Sequence, residues 1–443
     1  MKILKLWIAP LILITVFVLV HVLPISADKI EIDQFISPET CSDCHDEIYG
    51  QWQNSMHNLS HNDPVYLLVS GYFLKGLTHE DEVAEAESCV KCHTPVGNVS
   101  GFPEKSSDDR SKVSEIATHG IQCDYCHSAT GAEKMYNNGI ILEPGHGEDD
   151  PGIKRGPLDD CETEFHDTMF SKFHTSAEIC GTCHNVKHVR FNTNLETTYD
   201  EWKNGPYYSE DPEKRVTCQQ CHMRQRPGIP STGSTDRPDN PGYAASWAVE
   251  REHVPTHYFV GGNSYVPGSY RDTVKPGMAE ERLQNAALLT VDDGRLKQGK
   301  IDITIKNSGA GHFLPTGLTD VRQMWLEIIV EDQKGSIVYS SGCADENGYL
   351  PKDSYIYNTV FGDGNGNEIL NISKAREILK DNRIPPLESK TEAISLPEGE
   401  RKNLTVNVRL LYRIASQKII DTIAEKGKYE LPVIVMAEVE KEI

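Results

Sequence analysis

The chain has 443 residues, more than one ordinary domain needs, and its 38% apolar content allows two or three cores. The 44 Lys+Arg against 66 Asp+Glu give a net charge of −22, which excludes an ordinary nucleic-acid binder, since that needs a basic face. Eleven of the 12 Cys and 15 of the 17 His lie between Asp28 and Glu280, a density that excludes a plain disulfide framework and points to a metal or metallo-cofactor protein with a second, ligand-poor part.

In chain order, residues 1–27 come first. Lys2 and Lys5 precede an apolar run from Leu6 to Leu23, and Pro24-Ile25-Ser26-Ala27 places a small residue before Asp28. This pattern is a signal peptide, cleaved after Ala27 or retained as an N-terminal anchor, because 18 residues barely span a bilayer. Export follows in either case. Losing Lys2 and Lys5 takes the net charge to −24.

The next stretch repeats one motif, Cys-x-x-Cys-His, five times: Cys41/Cys44/His45, Cys89/Cys92/His93, Cys123/Cys126/His127, Cys180/Cys183/His184 and Cys218/Cys221/His222. Two cysteines three apart add to the two vinyl groups of one haem, and the adjacent histidine becomes the proximal iron ligand. Zinc gives no reason for a His after every second Cys, and zinc pairs recur at shorter spacing. The motif starts are 48, 34, 57 and 38 residues apart, so they are not tandem structural repeats. The expected cofactor is haem c, five copies, covalently attached.

Each iron has a second axial site, and 11 His outside the motifs and beyond His21 compete for it. The candidate distal ligands are His57, His119, His166, His174, His257 and His312. His57 follows Trp52 on an expected short helix. His119 stands four residues before Cys123. His166 and His174 are expected on an amphipathic helix before the fourth motif. His61, His79, His146, His188 and His253 are read as bystanders. Five Met in this half are a thinner supply, so mostly bis-His ligation and low potentials are expected. Trp52, Trp202, Tyr207 and Tyr208 are read as packing against haem, not as catalysts. Cys161 and Cys343 are left over, and their pairing stays open.

Pro227–Gly242 is a turn-rich connector on the surface of this region. From Glu281 the pattern changes to alternation: Ile301, Ile303, Ile305; Met324, Leu326, Ile328, Val330; Leu404 to Tyr412; and Leu431, Val433, Val435, Ala437, Val439. Period two predicts half-buried strands and an antiparallel, β-sandwich-like unit. Two helices, 373–379 and 416–426, are expected to interrupt it. The Asp363–Asn367 stretch departs from a calcium loop at Glu368 and reads as a turn. The expected fold class is α+β: a mostly helical and loop pentahaem domain over 28–280, its core filled by haem, followed by a β-sandwich-like domain over 281–443. His312 sits in a loop of the second unit and ties the two together if it reaches a haem.

Cys41–His57, Gly120–His127, Gly156–His184, Thr197–Met223, His257–Asn263 and Gly311–Gly317 together resemble the multihaem cytochromes c of anaerobic bacteria and archaea, related to the hydroxylamine-oxidoreductase and tetrahaem cytochrome c group. The resemblance implies electron transfer outside the cytoplasmic membrane, and distal ligation by His57, His257 and His312. Some relatives are enzymes on nitrogen or sulfur oxyanions. The Cys-x-x-Cys-Lys attachment of the pentahaem nitrite reductases is missing here, which weakens that reading.

The expected function is therefore an exported electron carrier, periplasmic or extracellular, at the cell surface or anchored to the cytoplasmic membrane, in anaerobic respiration. No catalytic residue is assigned. Expected partners are redox proteins, such as other cytochromes or a membrane quinol dehydrogenase, with self-assembly of the β unit as a further use. The alternative is a multihaem oxidoreductase with one open-site haem. Ten propionates would add further negative charge, favouring a partner with a basic patch.

Overall fold

The computed structural model describes residues 29–398 and 402–443. The expected leader, residues 1–27, lies outside the described residues. The chain mixes short helices with strands, an α+β architecture.

Up to Asn285 the elements are short. Each haem motif is one helical turn. Cys123–His127 and Cys218–His222 are complete small helices. In the other three motifs the His N–H bonds back to the first Cys carbonyl, His45 to Cys41 at 2.9 Å, His93 to Cys89 at 3.2 Å and His184 to Cys180 at 2.9 Å. That i to i−4 bond puts the two sulfurs and the imidazole on one face of the turn. The longer helices are Pro64–Phe73, capped by Asp63 through the Val65 and Tyr66 amides, Glu80–Ser88 and Lys275–Gln284.

Two expectations for this region are corrected. The helix Asp46–Trp52 ends before His57, which lies in the turns that follow. No helix carries His166 and His174. The strand Asp167–Phe170 pairs in parallel with Ile153–Gly156, with Arg155 opposite Met169, and this pairing takes the backbone bonds a helix would use. His166 precedes that strand and His174 follows it.

From Ala287 strands dominate. They are β1 (Ala287–Asp292), β2 (Lys300–Asn307), β3 (Gln323–Glu331), β4 (Ile337–Ser341), β5 (Ile356–Tyr357), β6 (Thr359–Gly362), β7 (Glu377–Asp381), β8 (Ser389–Ser395), β9 (Thr405–Arg413) and β10 (Ile434–Glu442). One antiparallel sheet has the order β8-β2-β1. A second has the order β4-β3-β9-β10, with β5 also paired to β3. Strands β6 and β7 form a separate ladder. Ile301, Ile303 and Ile305 from the first sheet share one core with Met324, Leu326, Ile328, Val330, Val406, Val408 and Leu410 from the second. All ten are within 1% of fully buried, as strict alternation requires.

Two details of the β region differ from the sequence reading. Residues 373–379 are not a helix: Ile372–Lys374 makes one 3₁₀ turn and β7 begins at Glu377, because pairing with β6 overrides a weak helical preference. In β10 the buried residues at the start are Ile434 and Met436, while Val433 is exposed. A bulge where Leu410 and Leu411 face Ala437 and Val435 then shifts the alternation, so Ala437 and Val439 pack on the core beyond it.

The two regions are joined by specific bonds. Thr193 Oγ1 donates to the Ala375 carbonyl at 2.9 Å, Asn371 Nδ2 to the Phe73 carbonyl at 2.9 Å, and buried His188 meets the Ser373 carbonyl through Nε2 at 2.9 Å.

Candidate multihaem site

All ten motif cysteines and all five motif histidines line one connected cavity of about 2280 Å³. Ordinary small-molecule pockets are roughly 300–1,000 Å³, so this space suits several ligands. Its walls come from both regions: Gly309–His312, Leu314–Leu318, Arg322, Ile372 and Tyr412 close it from the β side. The ten cysteines are all free thiols, as covalent attachment requires. Buried polar atoms without partners also face the cavity, among them Arg322 Nε and Gln219 Oε1. These residues fit haem c: thiols for the vinyl groups, imidazoles for the iron, and cationic side chains (Arg155, Arg215, Arg224, Arg282, Arg322) suited to propionates.

Pairs of imidazoles face each other across this cavity. His45 and His166 have ring centroids 6.5 Å apart, His57 and His184 6.3 Å, His127 and His257 6.4 Å, and His222 and His312 6.4 Å. Two metal–imidazole bonds of about 2.0–2.1 Å plus the two ring radii require roughly 6–6.5 Å. His174 lies nearer His127, at 5.6 Å, but its Nε2 already meets the Cys126 carbonyl at 2.9 Å. His119 does not line the cavity. It packs near Trp52 and lies 3.5 Å from Glu39 Oε2.

His93 is different. No second imidazole faces it among the described residues, and its ring stacks on Tyr66 at 3.7 Å with planes 7° apart. His61 is bonded to Thr94 Oγ1 at 2.7 Å and does not line the cavity. The wall near this motif combines apolar Val65, Val69, Phe73 and Val186 with the Asp63 and Glu196 carboxylates, which act on His93. Tyr66 carried no signal in the sequence, since one Tyr in an amphipathic helix reads as packing.

The Nδ1 atoms fix the rings. His45 meets the Ala244 carbonyl at 2.6 Å, His93 that of Ser60 at 3.0 Å, His127 that of Arg155 at 2.6 Å, and His222 that of Val260 at 3.2 Å. His166, His257 and His312 do the same with Asp167 at 3.0 Å, Pro255 at 2.9 Å and Phe313 at 2.9 Å. Each leaves Nε2 free to ligate. Burial, with nearby imidazoles, pushes His57 and His257 down to about 3, which keeps them in the neutral form that binds metal. His184 departs from this pattern. Burial lowers it, but the Glu196 carboxylate and the two neighbouring thiols outweigh burial and raise it to about 9.

Two loops hold distal candidates in place. Gly120, at φ +67°, lets Ile121 N reach the His57 carbonyl at 2.9 Å; a Cβ there would lie 2.5 Å from that oxygen. Glu201, on the helix Thr198–Lys203, accepts from Phe313 N at 3.0 Å and Thr316 Oγ1 at 2.7 Å, and pairs with Arg383. It thus grips the loop that carries His312 from the β side.

The remaining sites are quieter. Trp52, Trp202 and Tyr207 line the cavity, whereas Tyr208 packs behind Trp202. Cys161 at the cavity wall and Cys343 after β4 are both free thiols. No helix among the described residues is long and apolar enough to cross a membrane.

Comparison with known proteins adds two matches. Residues 40–128, which hold the first three motifs, match the family model described as cytochrome c554 and c-prime. The fold is similar to a crystal structure of a penta-heme cytochrome c552 from Thermochromatium tepidum, with a TM-score of 0.63 and 19% identity over 94% of this chain and all of that one. No curated protein matches the sequence.

Proposed function

We propose that this chain, a multihaem c-type cytochrome with covalently attached haem c, carries electrons through five such centres between redox partners outside the cytoplasmic membrane. The observation that carries the reading is the set of four opposed imidazole pairs at 6.3–6.5 Å across one shared cavity. Each haem, when bound, takes up and releases one electron. His45, His93, His127, His184 and His222 would hold the irons on the motif side. His166, His57, His257 and His312 would hold them from the opposite side for the first, fourth, third and fifth motifs. Bis-His ligation leaves those four centres no room for substrate.

Adjacent cysteines give the order of the centres. Cys41 lies beside Cys123, Cys92 beside Cys183, and Cys180 beside Cys218. Cys126 is also close to Cys183 and Cys180. The route runs from the first motif to the third, then to the fourth, which branches to the second and the fifth. The residues between keep water out and hold the imidazoles still, which keeps reorganisation small.

The leader pattern supports export, to the periplasm or the cell exterior, with or without an N-terminal anchor. The acidic surface supports a partner with a basic patch, such as another cytochrome or a quinol dehydrogenase. The β region closes the cavity over the fifth centre through His312 and also packs, through Phe361 and Ile372, on the helix beside the second.

A second reading rests on His93. With no opposed imidazole among the described residues, that centre has an open side, where a small molecule such as a nitrogen or sulfur oxyanion would bind for reduction. Carbon monoxide titration of the reduced protein separates the readings. Binding at one centre in five is expected for the open site, and turnover of an added oxyanion at that centre makes the protein an enzyme. Carbon monoxide binding without turnover leaves it a carrier.

A further inference from the structure

Among the axial imidazoles, one has a side-chain carboxylate at its Nδ1. Seven of them direct Nδ1 at a main-chain carbonyl, a neutral acceptor. His184 instead has its Nδ1 3.4 Å from Oε1 of Glu196. Glu196 ends the short strand Asn194–Glu196, whose pairing with Val186–Lys187 fixes it beside the motif. The same Oε1 accepts from Thr198 Oγ1 at 3.2 Å, and only 16% of the side chain is exposed. Arg322 also acts on Glu196 electrostatically, while its Nη1 donates to the Tyr412 hydroxyl at 3.1 Å.

We propose that Glu196 makes the centre attached at Cys180, Cys183 and His184 the lowest-potential one in the array. The inference rests on the reading that His184 and His57 hold an iron there. A ring whose Nδ1 faces a carboxylate is a stronger, more anionic donor than one facing a carbonyl. The extra negative charge, once haem fills the cavity around it, would favour the ferric ion over the ferrous one. Reduction there adds one electron, with no bond made or broken and no proton required.

The position of this centre gives the effect a consequence. It is the branch point of the array, beside the motifs of the second, third and fifth centres. A low-potential branch point is the last centre to fill. At partial reduction, electrons rest on the outer centres and pass through this one only in transit. The array then behaves as separate stores joined by an uphill step.

The test is a potentiometric titration of the haem-loaded protein, followed by visible and electron paramagnetic resonance spectra. His57→Met marks the step that belongs to this centre, because a Met ligand raises its potential. Glu196→Gln is expected to move that same step, the most negative one, to more positive potential. The low-spin signals stay unchanged, since no ligand is lost. Glu196→Asp keeps the charge but withdraws it by one methylene, and moves the step the same way by less; it serves if the Gln variant does not accumulate. A marked step that stays in place in both Glu196 variants, or that is not the most negative in the wild type, overturns the proposal. If His57→Met leaves every step in place, the ligand assignment fails first and the proposal falls with it.

Discussion

In the β region, Ile301, Ile303 and Ile305 meet Leu326, Ile328, Val406 and Val408 in one continuous apolar core. In the haem region the buried apolar residues break into small groups: Phe35, Val96, Ala117 and Tyr125 in one, Ala177, Tyr199 and Trp202 in another, Val260, Met278 and Ala279 in a third. Between these groups lies the cavity that the motif cysteines line. The first region supplies most of its own core, with Leu59, Val266 and Leu283 reaching into it and a small shared cluster of Val69, Phe73, Phe361 and Ile372 at the seam, whereas the second depends on its cofactors to complete its core. A cofactor fixed by thioethers replaces the aliphatic side chains that would otherwise offset the conformational entropy of ordering about 250 residues.

The largest test of this contrast is haem removal. Protein made without haem attachment should lose the haem region to proteolysis and keep a protected fragment from about residue 287 onward, read by mass spectrometry. Equal protection of both regions would break the comparison.

The next effect is in the β core. Ile303→Ala removes a fully buried side chain and should cost about 2–5 kcal/mol in denaturant unfolding of that region. The haem spectrum should stay as it is under native conditions, because the cavity wall does not include Ile303.

The loop between the regions sharpens the contrast further. His312→Ala should turn about one haem in five high-spin, from the pairing of His312 with His222. Glu201→Ala should do the same in part, since it frees Phe313 N and Thr316 from their common acceptor. Electron paramagnetic resonance reads both. A fully low-spin His312→Ala protein would mean that the β region does not reach the cofactor.

Asp320 gives a pH test in the β region. Burial raises its carboxyl from the usual 3.8 to about 7, and backbone hydrogen bonds offset this only in part. A raised carboxyl binds its proton more tightly when folded, so its stabilising share is complete below about pH 4. That share is lost as pH rises toward 7. Asp320→Asn should flatten this fall in urea titrations between pH 4.5 and 8. The smallest effect belongs to the pair between Arg409 and Glu327 on neighbouring strands. Arg409 is 46% exposed and solvent-screened, so Arg409→Ala should cost under about 1 kcal/mol in the same assay.

The sequence carried the haem motifs completely, because covalent attachment needs fixed residues at fixed spacing. It also carried the alternation of Ile301–Ile305 and Met324–Val330, since a half-buried strand repeats every second residue. His57, His166, His257 and His312 are legible as candidates, but their partners are not, because pairing is made across space by loops without a periodic signal. His174 shows the limit: it lies beside His127, yet its Nε2 is taken by the Cys126 carbonyl, a bond no pattern announces. The lone position of His93, the carboxylate beside His184 and the bulge in β10 are likewise tertiary. The residues over 373–379 misled because a strand partner, β6, outweighed local preference.

The central claim is that four imidazole pairs and one unpaired imidazole hold five irons. The most direct measurement is quantitative electron paramagnetic resonance of the fully oxidised protein, with spins counted against total haem. Four low-spin centres and one high-spin centre are predicted. Five low-spin centres, or two or more high-spin ones, would contradict the account.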